Sequence, residues 1–152
     1  MWKMAVAALS VFALVGIVSC GTSPQKALQQ QRQVELKAFK PITYVRSIGP
    51  DEPEERITVA ADGSIIRKRA MGPSSGRLSD FQIMQLVRVF ENWDKLHTSY
   101  LAADDSASAP ATTIIYGEKK VTVSDSAKEI PDDFNLARQR IELFSRDLTS
   151  TR

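Results

Sequence analysis

An uncharged apolar run from Met4 to Val18 follows Met1-Trp2-Lys3 and breaks off at Ser19-Cys20-Gly21, before a polar stretch. The break separates a short leader from everything that has to fold. The run has the positive start and apolar body of a signal peptide. It is short for a membrane span, because a bilayer core of about 30 Å needs roughly 20 apolar residues in a helix. Cys20 is also the only cysteine, so no intramolecular disulfide is available and packing alone must hold the fold. Residues 20–152 have the length of one domain, and a chain with 43% hydrophobic and 25% charged residues can bury a core.

Charge and donor counts narrow the function. The net charge is +2 and Lys3 belongs to the leader, so the rest is close to neutral and gives no electrostatic case for a nucleic-acid partner. His97 is the only histidine, which excludes multi-histidine metal sites. The acids Asp51, Glu52, Glu54, Glu55, Asp104, Asp105, Asp132 and Asp133 do not have the spacing of an EF-hand loop. They read as solvated loop and helix-start residues rather than as calcium ligands or an acid–base pair. No metal and no cofactor is expected.

The residues at the break carry a more specific signal. An aliphatic residue stands three before the cysteine and a small one just before it, so Ile17-Val18-Ser19-Cys20 resembles the lipobox of bacterial lipoproteins. Small side chains let a peptidase approach the backbone, and the thiol is the atom that accepts a diacylglyceryl group. The resemblance implies that residues 1–19 are removed between Ser19 and Cys20. It also implies that Cys20 is lipidated and that the bilayer is a partner. Buried acyl chains contribute about 0.8 kcal/mol per CH₂, so two or three of them hold a protein on a membrane it does not span. Gly21 in place of Asp after the cysteine points, within that family, to the outer membrane of a diderm cell and a periplasmic domain. An uncleaved anchor or an ordinary secretory signal is the competing reading.

Residues 20–37 are rich in Gln, with Gly, Thr, Ser and Pro, and have little apolar surface to offset ordering entropy. They read as a lipidated cysteine and flexible tether, with a short helix over Gln25 to Leu36 as the alternative. Residues 38–152 then read as one α+β domain. Ile42 and Tyr44 alternate with Thr43 and Val45 as in a half-buried strand. Arg56 to Ala60 and Ser64 to Arg69 are β-branched runs joined through Asp62-Gly63, a hairpin signal. Met71 to Gly76 reads as a loop. Ser79 with Gln82 forms a capping-box signature for a helix to about Lys95, with Ile83, Leu86, Val87, Phe90 and Trp93 on one stripe. Thr112 to Tyr116 and Lys119 to Ser124 make a second hairpin around Gly117-Glu118. Pro131, Asp132 and Asp133 open a closing helix whose apolar repeat is Phe134, Ala137, Ile141, Phe144 and Leu148. The expected architecture is an antiparallel sheet of about five strands with two helices on one face, in the order β-ββ-α-ββ-α.

Several of these marks, in this order, also resemble a known family. They are Tyr44-Val45-Arg46-Ser47-Ile48-Gly49, the Asp62-Gly63 hairpin, Gly76-Arg77-Leu78-Ser79, Trp93, Ile114 to Val123 around Gly117, and Pro131. From Ile42 to about Leu148 the layout is similar to emfourin-type domains, protein inhibitors of the thermolysin-like protease protealysin. The family's glycine pair and aromatic after the first strand are Gly49-Pro50-Asp51 here, and no inhibitory residue carries over. What the resemblance implies is a protease partner.

The remaining candidates have bland competitors. Arg67 and Arg69, two apart on one strand, project together and with Arg77 form a possible partner surface, or else an ordinary charged edge. His97 beside Ser99 is an imaginable base and nucleophile, but no G-x-S-x-G elbow accompanies them and a surface or capping histidine is the commoner outcome. Trp93, Tyr100 and Tyr116 suggest a binding platform, though a stripe Trp is more often core. No catalytic residue is assigned. The leading expectation is a non-enzymatic, membrane-tethered binding or structural module whose partner is an envelope protein. A tethered inhibitor of a thermolysin-like metalloprotease comes second, and an envelope enzyme acting through carboxylates third.

Overall fold

A computed structural model describes residues 24–49, 54–103, 109–146 and 148–150. The leader, the Ser19-Cys20 junction and the acids at 51, 52, 104 and 105 lie outside the described residues. Pro24–Ala38 forms helix α1, which corrects the expected flexible tether over that span. Ala, Leu, Gln, Lys and Glu all favour helix, and α1 docks on the domain as Leu36 packs against the core just before buried Phe39.

The strands β1 (Ile42–Ser47), β2 (Glu55–Val59) and β3 (Ser64–Arg69) follow as the alternation predicts. Asp62-Gly63 makes the turn: Gly63 sits at φ +82°, its N–H reaches the Ala60 carbonyl at 2.9 Å, and Asp62 Oδ1 accepts from the Ser64 N–H and hydroxyl at 3.0 and 2.7 Å. The expected loop after it is instead strand β4 (Gly72–Arg77), paired with β3 from Ser64↔Arg77 to Arg69↔Gly72. Nothing in Gly-Pro-Ser-Ser-Gly-Arg favours a strand. The β3 edge supplies the ladder, and Pro73 lies beyond the two residues, Ser74 and Ser75, that pair on the other side.

Helix α2 (Asp80–Val89) opens with the expected capping box: Ser79 Oγ accepts from the Gln82 N–H at 3.3 Å, and Gln82 Oε1 accepts from the Ser79 N–H at 2.9 Å. It ends before Lys95 because the Phe90 N–H is shared between the Leu86 and Val87 carbonyls, both at 3.1 Å, and a 3₁₀ turn follows at Trp93–Lys95. The tighter turn still brings Trp93 into the core. After β5 (Ser99–Tyr100) come β6 (Ala111–Tyr116) and β7 (Lys119–Ser124), joined through Gly117 at φ +60°. Helix α3 (Asp132–Arg146) and β8 (Thr149–Ser150) finish the described chain.

The fold is α+β. Among the described residues its sheet is mixed and eight-stranded, in the order β5-β7-β6-β1-β2-β3-β4-β8, rather than antiparallel and five-stranded, and β5 beside β7 is the one parallel pair. Among the described residues three α-helices stand where two were expected. The order β-ββ-α-ββ-α is present in β1, β2–β3, α2, β6–β7 and α3, with α1, β4, β5 and β8 added around it.

Register explains where the core sits. Tyr44 pairs with both Ile57 and Ile114, and Ile114 with Val121, so their side chains share one face of the sheet. That face and the buried sides of α2 and α3 make a single core with Trp93, Phe134, Leu86 and Ile141. The opposite face, with Thr43, Thr58, Thr113 and Thr122, is half-buried, and among the described residues the helices of the core layer pack on the other side.

Candidate functional site

The three arginines of the expected partner surface are partly brought together, though not as a free basic patch. Arg67 and Arg69 do share a face, as strand alternation requires, but it is the core face. Arg67 is 7% exposed, which corrects its reading as a surface residue. Its guanidinium bonds Glu55 and donates to the Ser145 carbonyl of α3 at 3.2 Å, while Arg69 Nε donates to the same Glu55 Oε1 at 2.7 Å. One carboxylate thus joins two arginines at the rim of the core. Arg77 stands apart, exposed, donating to the Asp62 carbonyl at 3.1 Å. These contacts hold β2, β3 and α3 together.

Glu55 has its place through hairpin register. Ile57 faces Arg67 and Arg56 faces Lys68 across β2 and β3, and carrying the ladder one residue further toward the strand ends sets Glu55 beside Arg69. That signal was available in the alternation, but Glu55 read as the end of an acidic loop. Nearby, the Tyr44 hydroxyl donates to Glu142 Oε1 at 2.8 Å. Burial first, and then that hydrogen bond, push the Tyr44 phenol well above its ordinary value.

The remaining candidates fall mostly to their plainer readings. Trp93 is buried, stacked on Phe134 at 6.0 Å and edge-on to Phe90 at 4.8 Å, with its indole N–H donating to the Lys119 carbonyl at 3.2 Å. Tyr116 stacks on Phe90 at 4.2 Å, and burial raises its phenol. The His97 ring lies edge-on to Tyr100, whose hydroxyl accepts the His97 backbone N–H at 3.0 Å. Ser99 is exposed on β5. Asp132 and Asp133 open α3, and Glu54 pairs with Arg56 at 2.8 Å. Hydrogen bonds from Ser64 hold the Asp62 carboxyl below the usual carboxylate range.

The concavity with the most varied chemistry was not anticipated. Around the β6–β7 turn, Lys40, Asp94, Tyr116, Glu118 and Lys119 line an open hollow of about 670 Å³. Lys40 lies over the Tyr116 ring, with Nζ 5.8 Å from its centroid, and Lys119 Nζ points at the Asp94 carbonyl at 3.4 Å. Glu118 and Lys119 also border a second hollow of about 550 Å³ with Thr98, Ser99 and Leu101. Two amines, two carboxylates and an aromatic edge provide hydrogen-bonding groups of both signs on an open surface. Among the described residues, no group of three or more His, Cys, Asp or Glu side chains is placed to hold a metal ion, and no described helix is long and apolar enough to cross a membrane. No family model, curated protein or solved structure matches the chain.

Proposed function

We propose that this chain is a lipid-anchored protein of the bacterial envelope whose α+β domain is a non-enzymatic binding module. The observation that carries the reading is Ile17-Val18-Ser19-Cys20 at the end of an apolar leader, three residues ahead of a helix docked on the domain. With an acylated Cys20, residues 21–23 let the domain stand off by about 14 Å at most before α1 begins. The two adjoining hollows are open to solvent and set charged side chains such as Lys40, Glu118 and Lys119 beside apolar surface, which suits a protein surface better than an enclosed small molecule. Mass spectrometry of protein from a bacterial host tests the anchor. The mature chain is expected to begin at an acylated Cys20, and Cys20→Ser is expected to abolish both processing and acylation. An unchanged mass and membrane fraction in that variant overturns the reading.

A second reading, a tethered inhibitor of a thermolysin-like metalloprotease, draws support from the places where the emfourin-like marks fall. Tyr44 to Ser47 lie in β1, Asp62-Gly63 in a turn, Trp93 in the core and Pro131 directly before α3. It predicts that the mature protein slows such a protease at near-stoichiometric amounts. Full protease activity at large excess sinks it.

A further inference from the structure

The helices bury one side in the core and yet carry apolar residues on the other. Among the described residues nine large hydrophobic side chains are exposed, and five of them, Leu28, Val34, Phe81, Leu136 and Leu143, are on α1, α2 and α3. The open sheet face contributes only Ile66, so the imbalance distinguishes the two faces. On α3 the pattern is sharpest: Leu136 and Leu143 are two turns apart and lie opposite Phe134, Ala137 and Ile141, with exposed Gln139 between them. Arg140 and Arg146 are placed beside Leu143, whereas the Glu142 carboxylate is turned to the Tyr44 hydroxyl. The middle and end of this crest are therefore apolar and basic together, the combination that favours an interface with anionic headgroups.

We propose that the outer face of the helical layer, centred on Leu136, Leu143 and Arg140 of α3, lies on the anionic phospholipid surface to which Cys20 is anchored. The anchor's position rests on the lipoprotein reading, and it favours this occupant because α1 belongs to the same layer and begins within about 14 Å of the acylated residue. A domain held so near a bilayer meets it repeatedly, and the face nearest the anchor is the one that needs to tolerate it. The sheet face, with its threonines and Lys68, then points away.

Gln139→Cys and Lys68→Cys carry a spin label on the two faces of the mature protein, whose own Cys20 is blocked by acylation. The protein is reconstituted in phosphatidylethanolamine vesicles containing phosphatidylglycerol. Collision of the label at 139 with a water-soluble nickel chelate is expected to fall several-fold on reconstitution, while the label at 68 stays unchanged. Adding Leu136→Asp and Leu143→Asp, both at exposed positions, is expected to restore collision at 139 with the protein still vesicle-bound. Equal accessibility of the two labels on vesicles overturns the proposal. Protection at 139 already present without vesicles assigns the face to a second copy and overturns it too. Mass spectrometry keeps the two readings apart: an unacylated chain sinks the anchor, and the same protein with Cys20→Ser added, so that the label sits at 139 alone, still tests the face on vesicles rich in phosphatidylglycerol, protection at 139 supporting it and its absence overturning it.

Discussion

The two hairpins share a local grammar and are sealed by opposite chemistry. Both turn through a glycine with positive φ, Gly63 and Gly117, and both place β-branched residues on the core side. The β2–β3 hairpin ends in an ionic clasp, where Glu55 holds Arg67 and Arg69 and Arg67 reaches the Ser145 carbonyl. The β6–β7 hairpin is sealed near its turn by aromatics, with Trp93 bonded to the Lys119 carbonyl and stacked on Phe134. Turn residues specify that a hairpin forms, and its tertiary neighbours specify how its end is kept dry.

The contrast predicts different failures. Trp93→Ala leaves a cavity between α2, α3 and β7, with an expected loss of about 3–5 kcal/mol. Glu55→Gln keeps the volume but leaves Arg67, only 8% exposed at the side chain, without its counter-charge, with an expected loss of about 3 kcal/mol. Urea denaturation of both variants reads these losses. Ordering them the other way would make the ionic clasp, rather than the aromatic seal, the main support of the fold.

The glycines sharpen the comparison at the turns themselves. A Cβ on Gly63 would come within 2.8 Å of Ile83 Cδ1, and Ile83 is buried in the core. One on Gly117 would meet Lys40 Cδ at 2.7 Å, part of an exposed and flexible side chain that can swing aside. Both substitutions also carry the strain of a left-handed backbone. Gly63→Ala is expected to cost about 2 kcal/mol and Gly117→Ala about 1 kcal/mol. Equal costs in thermal melts would show that backbone strain alone sets the penalty and that the packing difference is immaterial.

Strong local signals account for what was legible in the sequence. The strand alternation around Tyr44, the two glycine turns, the Ser79–Gln82 capping box and the Phe134–Ile141 stripe all appear where their residues direct. What was not legible depends on neighbours far along the chain. β4 exists because β3 offers it an edge, and β5 and β8 are two-residue strands with no propensity of their own to detect. α1 has helix-forming residues throughout, but only its docking through Leu36 decides between helix and coil. At the candidate site, the reading of Arg67 and Arg69 as neighbours on one side of the strand holds and Arg69 is exposed, but Arg67 is buried, because alternation alone does not say which face of a strand turns inward. The hollow around Lys40 and Lys119 gathers residues from three separate stretches of chain, at 40–41, 94 and 116–119, and leaves no local motif.

The smallest effect separates the clasp from the hydrogen bond beside it. Tyr44 is fully buried and donates to Glu142 at 2.8 Å, so Tyr44→Phe is expected to cost about 1 kcal/mol at neutral pH while leaving the ionic clasp intact. Its pH dependence is the distinguishing readout. The folded phenol is held above its ordinary value of 10.0, so the unfolded chain loses the proton first as the solution becomes alkaline. The stabilisation is therefore fully present below pH 10 and is lost as pH rises through the folded value. The Phe variant lacks this titration, and the gap in stability between the two proteins should narrow steadily above about pH 10. Parallel stability curves across that range would mean that the Tyr44 hydroxyl opens to water in the folded protein, and that the polar rim beside Glu55 is less dry than the clasp requires.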